Sequence, residues 1–357
     1  MFKVAQHTIQ AIVAIQAAML SSVSFAAPPA SSLQDINICY VHYREEMTTA
    51  ALYTADKKGY FEQNGIKVHW VKKFKGKYRA DLADHFTEKQ KNPSFRRELF
   101  LVDRLDAGEC DVGSMSFESI AGRGLPDLNN IVPLATYRYG KDYDTHLAQR
   151  IDLDLKSISD LKGKRIRASS IGVFIVLGEI LKAAHLKMSD VNISWVDVHS
   201  LPKAFDNKEA DLVLAYVPTV PLLIASNRVK IFEKDVYSRY LNGLVIPHSM
   251  LVGNRGFISK KAALFQKFLA AFKRGAEDLK THPENVVFGG DIIEYPTKTY
   301  SKADAEESLN YFKVQMPLIY DTPEKNFFQE SQFAEYQDKM VAEGFLSKAS
   351  DLSAWKN

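Results

Sequence analysis

The chain has 357 residues, 46% hydrophobic and 25% charged, with a formal net charge of +3. That composition suits an ordinary globular protein of two modest domains and excludes extensive disorder. The near balance of charge gives no reason to expect nucleic acid or an anionic membrane as partner, and beyond the N-terminus no stretch approaches the roughly 18 apolar residues of a spanning helix.

In chain order, the first segment reads as a leader. Met1 to Gln10 holds one lysine and no acid, Ile9 to Leu20 is mostly apolar, and Ser24-Phe25-Ala26 is a small-x-small site. Residues 1–26 are therefore expected to be a cleaved secretory signal. Its loss removes Lys3 and leaves a charge of +2. No cysteine stands near that site, so no lipid anchor is expected, and the mature protein should be freely soluble.

After a Pro/Ala/Ser linker, Ile36 to Val41 (INICYV) reads as a strand. Thr54 to Val68 (TADKKGYFEQNGIKV) then reads as a helix end that stops at Gly59 and turns again at Gly65, before Ile66, Val68 and Trp70 alternate as a strand. Strand, helix, double turn and strand make a βαβ crossover and imply a parallel sheet. Val71 to Arg104 is locally basic, with ten Lys/Arg against five Asp/Glu, and is read as a solvated surface. Its end reads as a helix from Pro93 with Phe95, Leu99, Val102 and Leu105 on one face, stopping at Gly108 before a short strand.

Ser114 to Gly124 reads as the next helix, capped by Ser114 or Ser116, and Leu125 to Ala135 leads into another strand. Tyr137 to Tyr143 breaks the pattern, and a domain crossing is placed there. Alternation restarts with a turn and strand at SISDLKGKRIRAS, a helix at Ile171 to His185 and a strand at Val191 to Val198. Leu201 to Asn207 is a short helix, Ala210 to Tyr216 a buried strand, Pro218 to Asn227 a helix and Val229 to Phe232 a strand. Leu244 to Leu251 crosses back, and Lys260 to His282 is a long amphipathic helix. Everything after Pro283 reads as helix and loop.

Cys39 and Cys110 each lie in or beside a strand. An oxidising compartment permits a bond between them. Pairing across adjacent parallel strands is awkward, so two buried thiols are the expected state and a disulfide the alternative.

The KGYF segment resembles the first crossover of substrate-binding proteins of ABC importers, in the branch that includes nitrate, sulfonate, taurine and thiamine-precursor binders. RLDAGECDVGS (Arg104 to Ser114), AGRGLPDLNNIVPLA (Ala121 to Ala135), DLKGKRIRAS (Asp160 to Ser169), FDNKEADLVLAY (Phe205 to Tyr216) and the late helix ending THPE are similar to further segments of that family, in order. The resemblance implies an α/β chain with the two-lobed type II periplasmic binding protein fold. Each lobe is an open, mostly parallel sheet flanked by helices, and a two-crossing hinge joins them. Lobe 1 is expected at residues 33–137 and 249–357, and lobe 2 at residues 138–248.

In open α/β sheets ligands lie beyond the carboxyl ends of the strands. That rule selects Tyr43, Arg44 and Glu45 after the first strand, Ser114, Met115 and Ser116 after the next, Tyr137 at the crossing, and Ser169, Ser170, Gly172 and Tyr216 in the second lobe. The serine runs open helices whose free N–H groups favour an anion, although plain capping explains them equally well. The tyrosines offer ring faces, and Arg44 beside Glu45 offers a clamp for a zwitterion or a heterocycle. No GxSxG, HExxH, P-loop or CxxC pattern is present.

The expected function is a periplasmic, monomeric solute-binding protein without metal or cofactor. It would deliver a small polar, anionic or heterocyclic ligand to an ABC permease and would not be an enzyme. A pyrimidine-synthase-like enzyme on the same fold and a binder feeding a receptor are the alternatives. The enzyme's CCCFC run has no counterpart here.

Overall fold

The computed structural model describes residues 33–40, 47–71, 93–124, 130–139, 145–195, 200–215, 219–282 and 330–355. β1 (Gln34–Tyr40) leads to α1 (Met47–Lys57), which ends where Gly59 takes a left-handed φ of 71°. A single helical turn, α2 (Tyr60–Gln63), intervenes before Gly65, at φ 74°, releases the chain into β2 (Ile66–Val71). β2 runs parallel to β1 with Ile38 opposite Trp70, which is the expected crossover.

α3 (Pro93–Asp106) buries Leu99, Val102 and Leu105 and gives way to β3 (Val112–Ser116). α4 (Phe117–Arg123) and β4 (Ile131–Tyr139) follow. The helix expected from Ser114 therefore begins three residues later. Ser114 is held in the strand by pairing with Tyr40 on one side and Leu251 on the other, and ladder hydrogen bonds outweigh its capping potential.

The second sheet contains β5 (Leu147–Arg150), β6 (Arg165–Ala168), β7 (Asn192–Trp195), β8 (Leu212–Leu214) and β9 (Val229–Glu233). α5 (Ile171–Ala183), α6 (Leu201–Asp206) and α7 (Thr219–Ala225) connect β6 to β9, and α8 (Val236–Tyr240) follows β9. β10 (Ile246–Asn254) returns to the first sheet, followed by α9 (Arg255–Lys260) and α10 (Ala262–Thr281). Last comes α11 (Glu330–Ala342).

The two sheets have the orders β2-β1-β3-β10-β4 and β7-β6-β8-β5-β9, which are the same pattern. In each, one strand runs against the rest: β10 is antiparallel to β3 and β4, and β5 to β8 and β9. The reversed strand is in both cases the one on which the chain arrives from the other sheet. Each sheet is thus mostly parallel, and the carboxyl ends of its other strands gather at the edge where the chain crosses over.

The first lobe is braced far from that edge. Phe61 stacks on Phe268 at 5.3 Å, the Tyr60 hydroxyl donates to the Asp278 carboxylate, and the Arg274 guanidinium lies 3.8 Å from the Tyr60 ring centroid. The KGYF segment therefore fastens the end of α1 to α10.

Cys39 and Cys110 are joined in a disulfide, with Cα atoms 5.9 Å apart. The expectation of two thiols is corrected. Cys110 lies in the turn before β3 rather than in the strand, so its Cβ is free of the strand pleat and reaches β1 at a separation that suits a bond.

At the amino ends of β6 and β8, Asp211 ties the second sheet together. Its carboxylate accepts from Arg165 through the backbone N–H (2.9 Å), Nε (3.0 Å) and Nη2 (2.8 Å), and from Arg150 Nη1 (3.0 Å). The Arg165 guanidinium is the main cause of a carboxyl pKa lowered to about 2. A lowered folded value contributes stability above the unfolded value of 3.8 and loses it as pH falls toward 2. Asp211→Asn is expected to cost about 2 kcal/mol at pH 7. In urea titrations repeated down the pH scale, the gap to the parent should narrow between about pH 4 and pH 2; a gap independent of pH would refute the assignment.

Candidate functional site

The crossover edge of the first sheet carries a row of hydroxyl residues. Ser249 on β10 lies opposite Ser116 on β3 and opposite Tyr137 on β4, where a bulge between Pro247 and Ser249 shifts the register. Ser116 and Ser249 are buried, and so is Ser114, one pleat back. Ser116 ends its strand in extended geometry, so its Oγ turns to accept from the Ser119 N–H at 3.2 Å and lies 2.8 Å from Ser119 Oγ.

β1 delivers Tyr40 to the same edge, next to an aromatic stack. Tyr53 lies parallel to Trp70 at 4.3 Å, and Tyr40 stands edge-on to Trp70 at 5.4 Å and to Tyr53 at 6.4 Å. Trp70 Nε1 donates to Asp56 at 2.9 Å, which fixes the plane of the indole. The stack orders Tyr40, the last described residue before the segment that holds Tyr43, Arg44 and Glu45. Those three residues lie outside the described residues.

In the second sheet β6 ends at Ala168, and Ser169 and Ser170, both buried, open α5. Ser170 Oγ accepts from the Val173 N–H at 3.3 Å. Gly172 packs tightly instead of facing open space: a Cβ there would meet Ile246 Cγ2 at 3.0 Å and the Tyr336 hydroxyl at 3.4 Å. β8 ends beside Ala215, whose carbonyl accepts from Thr145 Oγ1 at 2.8 Å. Tyr216 lies outside the described residues, as does the Tyr137 side chain. Met115 is fully buried within β3.

The sequence reading missed Ser119, Ser249 and Glu118. Glu118, in the first turn of α4, is a fully buried carboxylate that accepts from the Tyr336 hydroxyl at 2.8 Å. Burial pushes the Tyr336 hydroxyl well above the ordinary tyrosine value, and the Glu118 charge pushes it further. The spacing from Ser116 to Ser119 is the one local signal available for these residues, because a cap and the first turn of its helix share a face.

Residues 141–286 match a family model described as NMT1/THI5 like. No curated protein sequence matches. Among solved structures, the chain is similar to the alkanesulfonate-binding protein SsuA from Xanthomonas axonopodis pv. citri bound to MOPS. The identity is 16% and the TM-score 0.58, over 90% of this chain and 96% of that one. It is similar to the periplasmic aliphatic sulphonate binding protein SsuA from Escherichia coli at 15% identity and a TM-score of 0.58, over 90% of this chain and 92% of that one. It is also similar to the desulfurization enzyme DSZB, at 12% identity and a TM-score of 0.56, over 90% and 96% of the two chains. At such identities the likeness establishes the fold. The fold expected from the sequence is borne out, and the family match bears out the resemblance to this branch.

Proposed function

We propose that the protein is a periplasmic solute-binding protein that captures a small polar, anionic or heterocyclic molecule between its lobes and delivers it to an ABC permease. The observation that carries the reading is the repeated sheet pattern. Two sheets have the same order, each with a reversed strand where the chain crosses from the other, and this supports a ligand that bridges both lobes and so favours one setting of the hinge. The buried disulfide supports an oxidising compartment, as the leader at residues 1–26 requires. Among the described residues no helix is long and apolar enough to cross a membrane.

The assigned site comprises Tyr43, Arg44 and Glu45 before α1, the hydroxyls at Ser114, Ser116 and Tyr137, and Ser169, Ser170 and Tyr216 opposite. The lobes divide near residues 137 and 249, and the protein acts as a monomer. A second reading, an enzyme on the same fold, is favoured by the likeness to DSZB.

Native mass spectrometry of material released from the purified protein, followed by calorimetry with the compound identified, tests the binding reading. Tyr43→Ala is expected to weaken binding roughly tenfold or more, about 1.4 kcal/mol, with the melting temperature of the free protein unchanged. If no sulfonate, carboxylate, amino acid or pyrimidine stabilised the protein, the binding reading would fail. Turnover of the compound would establish the enzyme instead.

A further inference from the structure

The C-terminal segment touches both lobes. Toward the first, Phe333 of α11 stands edge-on to Phe117 at 4.7 Å, Trp355 lies against Phe117 at 6.2 Å, and Tyr336 donates to Glu118. Toward the second, Lys339 Nζ reaches Glu179 of α5 at 2.7 Å, and Phe345 packs on Phe174 at 5.8 Å and Trp195 at 6.3 Å. Between these anchors, the absence of a side chain at Gly172 lets the start of α5 close onto Ile246 of the returning strand and onto the Tyr336 hydroxyl.

We propose that residues 330–355 form a clasp, a third tie between the lobes that holds them in the setting seen here and moves with the first lobe when they separate. The two anchors differ in kind. Phe333, Tyr336, Phe117 and Glu118 are buried, and their hydrogen bond joins a hydroxyl to a carboxylate away from water. Such a bond requires close alignment and is costly to leave unmade. The second anchor is an ion pair with side chains 28% and 17% exposed, together with the buried ring of Phe345 standing edge-on to Phe174 and to the Trp195 indole. Partly solvated ion pairs hold weakly, so the polar part of this anchor gives way more readily than the buried hydroxyl–carboxylate bond of the first. Rotation of one lobe on the other therefore releases Lys339 and Phe345 first. The strength of that release sets how far the free protein stays closed, and hence what fraction of it is competent to admit a ligand.

The test is made without any ligand, so its outcome is separate from that of the binding reading. Nitroxide pairs are placed at the exposed positions Glu62, Lys187 and Lys348 by cysteine substitution, and distances are measured by pulsed electron spin resonance. The parent is expected to give a single distribution for each pair. Phe345→Ala should add a second, longer population for the Glu62–Lys187 and Lys187–Lys348 pairs, and leave Glu62–Lys348 unchanged. Lys339→Gln, which keeps the core intact, should add the same population to a smaller extent and decides the matter if Phe345→Ala fails to fold. Unchanged Glu62–Lys187 and Lys187–Lys348 distributions in a folded variant would overturn the clasp. A change confined to Glu62–Lys348 would overturn its attachment to the first lobe.

Discussion

Replacing Cys39 and Cys110 together by alanine is expected to cost about 4 kcal/mol, which is the loop-closure entropy returned to the unfolded chain when a bridge of this span is removed. The bond closes a separation of 71 residues, from the middle of the first sheet to the turn that feeds β3. That loop contains α1, α2, β2 and α3, so reduction frees much of the first lobe in the unfolded state at once. The second lobe has no part in it. Guanidinium titrations with and without reductant should show the parent losing this stability on reduction, while the double variant responds to neither condition. Identical midpoints for oxidised and reduced parent would show that the two sulfurs do not pair. A local consequence follows. Cys39 precedes Tyr40, whose ring stands edge-on to Tyr53 and Trp70, so reduction should also loosen the end of β1 while leaving α5 and Ser170 as they are.

What the sequence disclosed and what it hid divide by range. The stops at Gly59 and Gly65, the apolar face of α3 and the strands around Ile38, Ile166 and Val213 are local statements, set by backbone conformation and by periods of 3.6 and 2, and they stand in the structure. β5 was not legible. Leu-Ala-Gln-Arg has no β-branched residue and no alternation, and it becomes a strand because β8 and β9 offer edges on either side. Of the two caps offered for α4, Ser116 is the one used, because pairing with β10, more than a hundred residues away, keeps Ser114 extended. Cys110 was misjudged because its exact distance from the strand start decides the bond. Glu118 and Tyr336 are separated by 218 positions, and nothing in either neighbourhood announces the other. At the candidate site, the serine caps were legible as caps, whereas Ser249, which lines up with Ser116 only through strand register, was not.

Gly275→Ala is expected to destabilise the protein although alanine is the better helix former. In an open helix the exchange gains roughly 1 kcal/mol. In α10 a Cβ at this position would strike the Ala51 carbonyl oxygen and stand 2.9 Å from both Ala55 Cβ and Ala55 N. Two of those atoms are backbone and the third is the rigid methyl of an alanine, so no rotamer relieves the contact and α10 must back away from α1. Overpacking of this kind costs about 1–3 kcal/mol, enough to reverse the sign of the propensity gain. Gly275→Leu, with more volume to place, is expected to lose about 3 kcal/mol or more.

Gly178 in α5 supplies the control, since nothing lies within 4 Å of its added Cβ. There the same Gly→Ala exchange should stabilise by roughly 1 kcal/mol. Urea unfolding of the two alanine variants side by side therefore reads opposite signs, and a gain at both positions would mean that α10 does not approach α1 as closely as described. The displacement also reaches the site. Ala51 and Ala55 flank Tyr53 in α1, so a helix pushed there shifts Tyr53 against Trp70 and against Tyr40 at the end of β1. Gly275→Ala should accordingly weaken capture of the identified compound as well as the fold, whereas Gly178→Ala should change stability alone.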